Sequence, residues 1–262
     1  MTLDFPFQRM VDAALVTLYP MSCRVCDAGI ESWRDGVACA GCWAEIEAGG
    51  KHRCEKCGLP LPASTTAVDD SPRRCGSCEE MAFAAAETCG PYRGALRESV
   101  LWLKRHPQVA PRLRGLLRAA LEGLESAVMI DSIVPIPLHP DRAGERTFNQ
   151  AEVIARAIGG PLYVDAASLI RVRQTEKHRA GMDARDRARS MENAFHVRAP
   201  RLIEGRNLLL VDDVMTTATT VHEAAQTLLA GGARSVRVLA IARAVPEFMP
   251  RAPGPLAIFT RR

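Results

Sequence analysis

Hydrophobic and polar positions change their rhythm near Phe83. Beyond it, helical and extended periods alternate. Tyr92–Leu103 places Leu96, Val100, Leu101 and Leu103 at helical spacing and is stopped by Pro107. Arg112–Leu124 reads as a second amphipathic helix. Ile130–Ile136 (IDSIVPI) reads as a short buried strand that stops at Pro137. Asn149–Ile158 is a helix closed by Gly159 and Gly160. Arg206–Val211 (RNLLLV) is apolar on both faces, as a strand inside a parallel sheet must be. Thr219–Ala230 is a helix closed by Gly231 and Gly232, Val236–Ala242 a further strand, and Ala194–Val197 a short one. Strands alternating with helices predict a doubly wound α/β fold, in which a parallel sheet flanked by helices binds ligands beyond the carboxyl ends of its strands.

Before Phe83 the pattern is set by cysteine. Eight of the nine cysteines form four Cys-x-x-Cys pairs: Cys23/Cys26, Cys39/Cys42, Cys54/Cys57 and Cys75/Cys78. Zinc prefers four thiolates in a tetrahedron, and two such pairs converging on one point supply them. Sequential pairing is the simplest: Cys23, Cys26, Cys39 and Cys42 hold one Zn²⁺, and Cys54, Cys57, Cys75 and Cys78 a second. Interleaved pairing stays open at this stage. One pair could be a redox dithiol, but four in series argue for structural metal, and four thiolates leave no open position for catalysis. Gly58, directly after Cys57, sits where a tight knuckle needs positive φ. Gly41 and Gly76 lie inside their turns. Cys89 reads as a buried small hydrophobe, and Leu59–Arg74 as a loop rich in Pro, Ser, Thr and Asp.

The chain has 262 residues, 47% hydrophobic and 24% charged, enough for one or two domains with a core. Its longest apolar candidate, Ala13–Tyr19, is far short of the roughly 18 residues a membrane helix needs. The N-terminus carries Asp4 and no basic start, so neither membrane insertion nor a secretory signal is expected. The expected compartment is the cytoplasm, where thiols stay reduced. Collagen-like and wholly disordered classes are excluded. Charge is unevenly divided: residues 1–90 carry −5 and the remainder +9. A phosphate-bearing ligand belongs with the basic part.

The densest chemical signal is Leu208–Thr220, LLLVDDVMTTATT. An apolar strand ends in Asp212 and Asp213, and small and hydroxyl residues lead into a helix. Alone, Asp-Asp and Thr-Thr would be turn and cap residues. Placed between LLLV and a helix start, they form a site: helix N–H groups and Thr hydroxyls suit a phosphate, and two carboxylates suit the hydroxyls of a diol. Phosphate beside a diol describes a ribose 5-phosphate.

Here the chain resembles the type I phosphoribosyltransferases. VDDVMTTATT is similar to their signature for phosphoribosyl pyrophosphate (PRPP). The resemblance implies that Asp212 and Asp213 hold the ribose hydroxyls and that Thr216, Thr217, Ala218, Thr219 and Thr220 wrap the 5-phosphate. Ala218 departs from the pattern, which has glycine there. A narrower resemblance joins three blocks: the cysteine pairs, VPIPLHPDRAGERTFNQAEVIA at Val134–Ala155, and the PRPP signature. Together they look like the ComF family of competence and DNA-uptake proteins, with YRGALRESVLWLKR at Tyr92–Arg105 as a weaker fourth match.

That likeness implies a double zinc ribbon joined to a phosphoribosyltransferase-like sheet. The expected division is an N-terminal helix and ribbon module over 1–85, the transferase-like domain over 86–246 and a tail over 247–262. It makes Pro137, Leu138, His139 and Arg142 the pyrophosphate loop, with Lys104 and Arg146 as accessory groups and Mg²⁺ bound with PRPP. Thr147 is a second departure, again at a glycine position. The stretch 171–190 holds seven Lys+Arg and three Asp+Glu, and its Arg185 and Arg187 are further accessory candidates. The expected role is uptake of single-stranded DNA in natural transformation, with a translocation or helicase protein as partner. The alternatives are an active phosphoribosyltransferase of nucleotide metabolism and a non-catalytic nucleotide-sensing regulator. Aromatic residues are 5% of the chain, few for a base-stacking platform.

Overall fold

A computed structural model describes residues 5–48, 53–59, 61, 74–138, 147–172 and 193–244. Strand β6 (Asn207–Met215) is its spine. Leu208, Leu209, Leu210 and Val211 are all fully buried. Successive strand residues face opposite ways, so both faces of β6 are covered. On one side β6 pairs with β7 (Ser235–Arg243), on the other with β2 (Ser132–Pro135). β1 (Ala85–Thr88) joins β7 and β3 (Tyr163–Val164) joins β2. The order is β1-β7-β6-β2-β3, and every pairing is parallel.

On one face lie α3 (Gly94–Leu103), α4 (Pro111–Glu125) and α5 (Gln150–Gly159). Their Leu96, Val100, Leu117, Ile154 and Ile158 pack with Leu209, Val211, Leu239 and Ile241. The other face is covered by α6 (Thr219–Ala230), whose Val221, Ala224, Ala225 and Leu228 meet Leu208, Leu210, Val238 and Ala240. An antiparallel pair outside the main sheet, β4 (Leu169–Arg171) and β5 (Phe195–Val197), adds Leu169 and Phe195 to this second face.

The cysteine-rich module straddles the β1 edge. Cys23, Cys42, Trp43 and Ile46 belong to the α3–α4–α5 face, and Cys54, Cys57, Cys75 and Cys78 to the α6 face. Helix α1 (Phe5–Leu18) meets the first quartet's loop, where Asp12 accepts the Trp33 N–H at 3.0 Å. Helix α2 (Ala40–Ala48) carries Trp43, fully buried, with its indole N–H donated to the Asp35 carbonyl at 2.9 Å. Arg24 stacks 4.6 Å over the Trp102 ring, whose plane also stacks on His106 at 3.6 Å. Trp102 therefore ties the first knuckle to α3.

Two expectations are corrected. β6 does not end at Val211; it runs through both aspartates to Met215, because β7 keeps pairing alongside: Asp212 with Ala240, Val214 with Ala242, Met215 with Arg243. The Tyr92 helix begins two residues later, at Gly94. Strands β1, β3 and β4 carry no clear apolar signal, being two to four residues long. The tail 247–262 and most of Leu59–Arg74 lie outside the described residues.

Candidate functional site

The chain leaves β2 through α5 to β3 on one side, then returns as β6 on the other. Helices α5 and α6 thus lie on opposite faces, and the sheet opens a crevice at the carboxyl ends of β2 and β6. The Ile136 N–H donates to the Val211 carbonyl at 2.8 Å, holding the two strands together up to that point. Pro137 and Leu138 follow on one side, and Asp212–Thr220 on the other.

Adjacent strand residues face apart. Asp212 continues the row of Leu208 and Leu210 on the α6 face; Asp213 continues that of Leu209 and Val211. Each carboxylate is tied to the next amide: Asp212 Oδ1 accepts from Asp213 N–H at 2.8 Å, and Asp213 Oδ1 from Val214 N–H at 2.7 Å. Burial holds the Asp212 carboxyl well above the usual carboxylate range; the charge of Asp213 pushes the same way, and Arg171 on β4 opposes it. Arg171 lies 5.5 Å over the Phe195 ring. On the other face, the phenol of Tyr92 is raised by burial first, with Asp213 among the charges that add to it. Each aspartate therefore has its own surroundings, and a cation or hydroxyl donor at Asp212 would relieve a real electrostatic penalty.

After Met215 the backbone turns sharply. Ala218 is left-handed (φ 64, ψ 4), buried, and caps α6 without a side-chain hydrogen bond. Thr217 and Thr219 bring their hydroxyl oxygens to 2.9 Å. Thr219 and Thr220 open the helix, where the first N–H groups have no intrahelical acceptor. Free N–H groups at a helix start can act as donors to an anion. The left-handed φ strains Ala218, by about 1–2 kcal/mol.

Beyond β2, Pro135, Pro137, Leu138, Thr147, Phe148 and Asn149 line a cavity of about 270 Å³. Asn149 both caps α5, accepting the Ala151 N–H at 3.1 Å, and donates Nδ2 to the Ile136 carbonyl at 2.9 Å. His139, Arg142, Arg146, Arg185 and Arg187 lie outside the described residues. Lys104 is exposed at the C-cap of α3. A ten-residue helix puts it about 15 Å along the axis from the Tyr92 end. Arg171 and Tyr92 are the residues that sequence reasoning left without a role. Both sat inside segments already marked, the basic stretch and YRGALRES, but nothing in one dimension aims them at the aspartates.

The cysteines form two quartets, Cys23/Cys26/Cys39/Cys42 and Cys54/Cys57/Cys75/Cys78, with sulfurs within 4.8 Å of one another. Pairing is therefore sequential. Sulfur separations of 3.8 and 3.7 Å in the first and 3.4 Å twice in the second approach the tetrahedral edge of roughly 3.8 Å set by Zn–S bonds. Two Zn²⁺ sites fit this donor set. The knuckles repeat one design. Cys23 N–H donates to Ala28 O and Cys54 N–H to Leu59 O, both at 2.8 Å. In the leading pair of each quartet the residue after the second cysteine is left-handed: Gly58 at φ 66 and Asp27 at φ 60. Burial raises the leading thiols of Cys23 and Cys54, but surrounding backbone hydrogen bonds outweigh it and lower both to about 6. The quartets differ in exposure. All four sulfurs of the second are on buried residues, whereas Cys26 of the first is exposed.

Residues 14–79 match a double zinc ribbon domain and residues 148–250 a phosphoribosyl transferase domain. The chain is 32% identical over 204 residues to the DNA utilization protein YhgH of Escherichia coli, covering 74% of this chain and 85% of that one. It is 24% identical over 228 residues to competence protein ComFC of Bacillus subtilis, covering 82% and 91%. The chain belongs to the ComF family. Competence protein F of Haemophilus influenzae is a further relative, 25% identical over 241 residues, with 88% of this chain and 100% of that one covered. Within this ComF chain the ribbon match ends at Cys78–Glu79, and β1 follows six residues later, so the second ribbon leads directly into the sheet. Among the described residues no helix is long and apolar enough to cross a membrane.

Proposed function

We propose that this ComF protein binds PRPP with Mg²⁺ and acts in natural transformation, in the uptake of single-stranded DNA into the cytoplasm. The observation that carries the ligand is the meeting of Asp212 and Asp213 with the left-handed turn and the uncapped start of α6. The carboxylates would accept from the ribose hydroxyls, and Thr216–Thr220 would enclose the 5-phosphate. Pro137, Leu138, His139 and Arg142 would take the pyrophosphate, with Arg146, Arg185 and Arg187 as further cations. Mg²⁺ bound with PRPP would neutralise charge on the pyrophosphate.

The role in uptake rests on the relatives named for DNA utilization and competence and on the +9 charge of residues 91–262. The acidic ribbon module suits a protein partner, a translocation or helicase protein, better than a phosphate backbone. Calorimetry of PRPP with and without Mg²⁺ tests the ligand. Saturable binding that needs Mg²⁺ and disappears in Asp213→Asn is expected; no binding overturns it. In a transformable host, Asp213→Asn at unchanged protein level should lower transformation, and an indifferent mutant would separate pocket from uptake.

A second reading, phosphoribosyl transfer to an acceptor, is favoured by the aspartates' place beside the expected ribose, where they could balance a cationic ribosyl centre. Release of pyrophosphate with an acceptor present is its test.

A further inference from the structure

The second zinc ribbon forms part of the wall behind the phosphate turn. Cys54, Cys57, Cys75 and Cys78 share one buried cluster with Phe83 and with Met215, Ala218 and Val221. The first quartet's cluster, on the opposite face, holds no residue of that turn.

Two polar groups join ribbon to turn. Ala82, four residues past Cys78, donates its N–H to Nδ1 of His222 at 3.0 Å. His222 closes the first turn of α6, and its own N–H donates to the Ala218 carbonyl at 2.9 Å. One residue thus holds the segment just after the ribbon by its ring and the left-handed alanine by its backbone. The ring must be neutral, with Nδ1 as acceptor; burial and the nearby charge of Lys56 favour that form.

The second group is Arg243, the last residue of β7, in register with Met215. It is 6% exposed, and among the described residues its Nε and Nη1 have no acceptor. Burial works against its charge, and the thiols of Cys57, Cys75, Cys78 and Cys54 work in its favour. A tetrathiolate around Zn²⁺ is a dianion, which in a buried place calls for a counter-charge and N–H donors. Arg243 offers both.

We propose that His222 and Arg243 are positioning residues that couple the second zinc ribbon to the phosphate turn, so that zinc retention and PRPP binding strengthen each other. This inference rests on the PRPP reading of the turn. Coupling between two ligands is reciprocal, so either can report it.

The experiment follows zinc release from the full-length zinc-loaded protein to a chromogenic chelator, with and without PRPP and Mg²⁺, alongside calorimetry of PRPP. Release should occur in two phases, with PRPP slowing only the slower one, by several-fold. His222→Ala should keep two zinc ions but bind PRPP several-fold more weakly and lose the protection. His222→Asn, which returns an acceptor near the Nδ1 position, should recover both. Arg243→Met should speed the slower release even without PRPP. If His222→Ala does not fold, the wild-type release arm still decides. PRPP bound by the wild type with both phases unchanged would sink the coupling alone. A wild type that binds no PRPP would sink the site reading and the coupling together.

Discussion

Asn149 is hydrogen-bonded to Ile136 across the mouth of the crevice: its Nδ2 donates to the Ile136 carbonyl at 2.9 Å while its Oδ1 caps α5. One side chain thus fixes both ends of the segment that contains the expected pyrophosphate loop. Asn149→Ala removes the cap and leaves that carbonyl without its partner, at a cost of about 1–2 kcal/mol. Thermal melts should show a drop of several degrees. Asn149→Ser keeps a cap and should recover only part of it; full recovery would show the Ile136 bond to be inert.

Ala218 pays for its left-handed backbone. Ala218→Gly should stabilise the protein by about 1 kcal/mol, a rise of roughly 2–4 °C in Tm. Ala218→Val should do the reverse, since a β-branched residue tolerates positive φ worst. An unchanged or lower Tm for the glycine variant would mean that the turn relaxes in solution.

The raised pKa of Asp212 has a definite sign for stability. Its carboxyl binds a proton more tightly in the folded protein than in the unfolded chain, whose value is about 3.9. Stability is therefore lost as pH rises from about 4 through the folded value. Asp212→Asn removes the charge that burial opposes. Without ligand, its Tm should exceed the wild type's at pH 8, with the gap closing towards pH 4, while Mg²⁺-dependent PRPP binding is lost. A constant gap across that range would place the effect elsewhere.

The two zinc centres should part under attack. Cys26 is exposed, whereas Cys54, Cys57, Cys75 and Cys78 are all buried beneath α6 and the sheet. A chelator should strip the first ion faster. Cys26→Ser should leave a folded protein with one tightly held zinc by atomic absorption. Cys57→Ser should cost several kcal/mol and most of the folded yield, because structural metal binding is folding energy.

Much of this was legible in one dimension because the signals are local. Alternating periods identify α3 to α6 and strands β2, β6 and β7, since each must bury an apolar face. Four Cys-x-x-Cys pairs announce zinc because a knuckle is a turn of a few residues with its own hydrogen bonds; Gly58 even foretells its positive φ. Strands such as AAET at β1 were missed because an edge strand is defined by its neighbour, here β7, rather than by its own composition. The length of β6 was missed for the same reason.

What the amino acids determined alone was the inventory: zinc ligands, a carboxylate pair before a helix start, an α/β rhythm. Tertiary structure decided the relationships: which cysteines come together, that the strand order reverses between β2 and β6, that Arg171 and Tyr92 act on different aspartates, and that one ribbon shares a cluster with the turn before α6. Those are contacts between residues far apart in the chain, such as Ala82 and His222, 140 positions apart. Long-range contacts are settled by how apolar faces pack together, and a linear pattern states which faces exist without stating which ones meet.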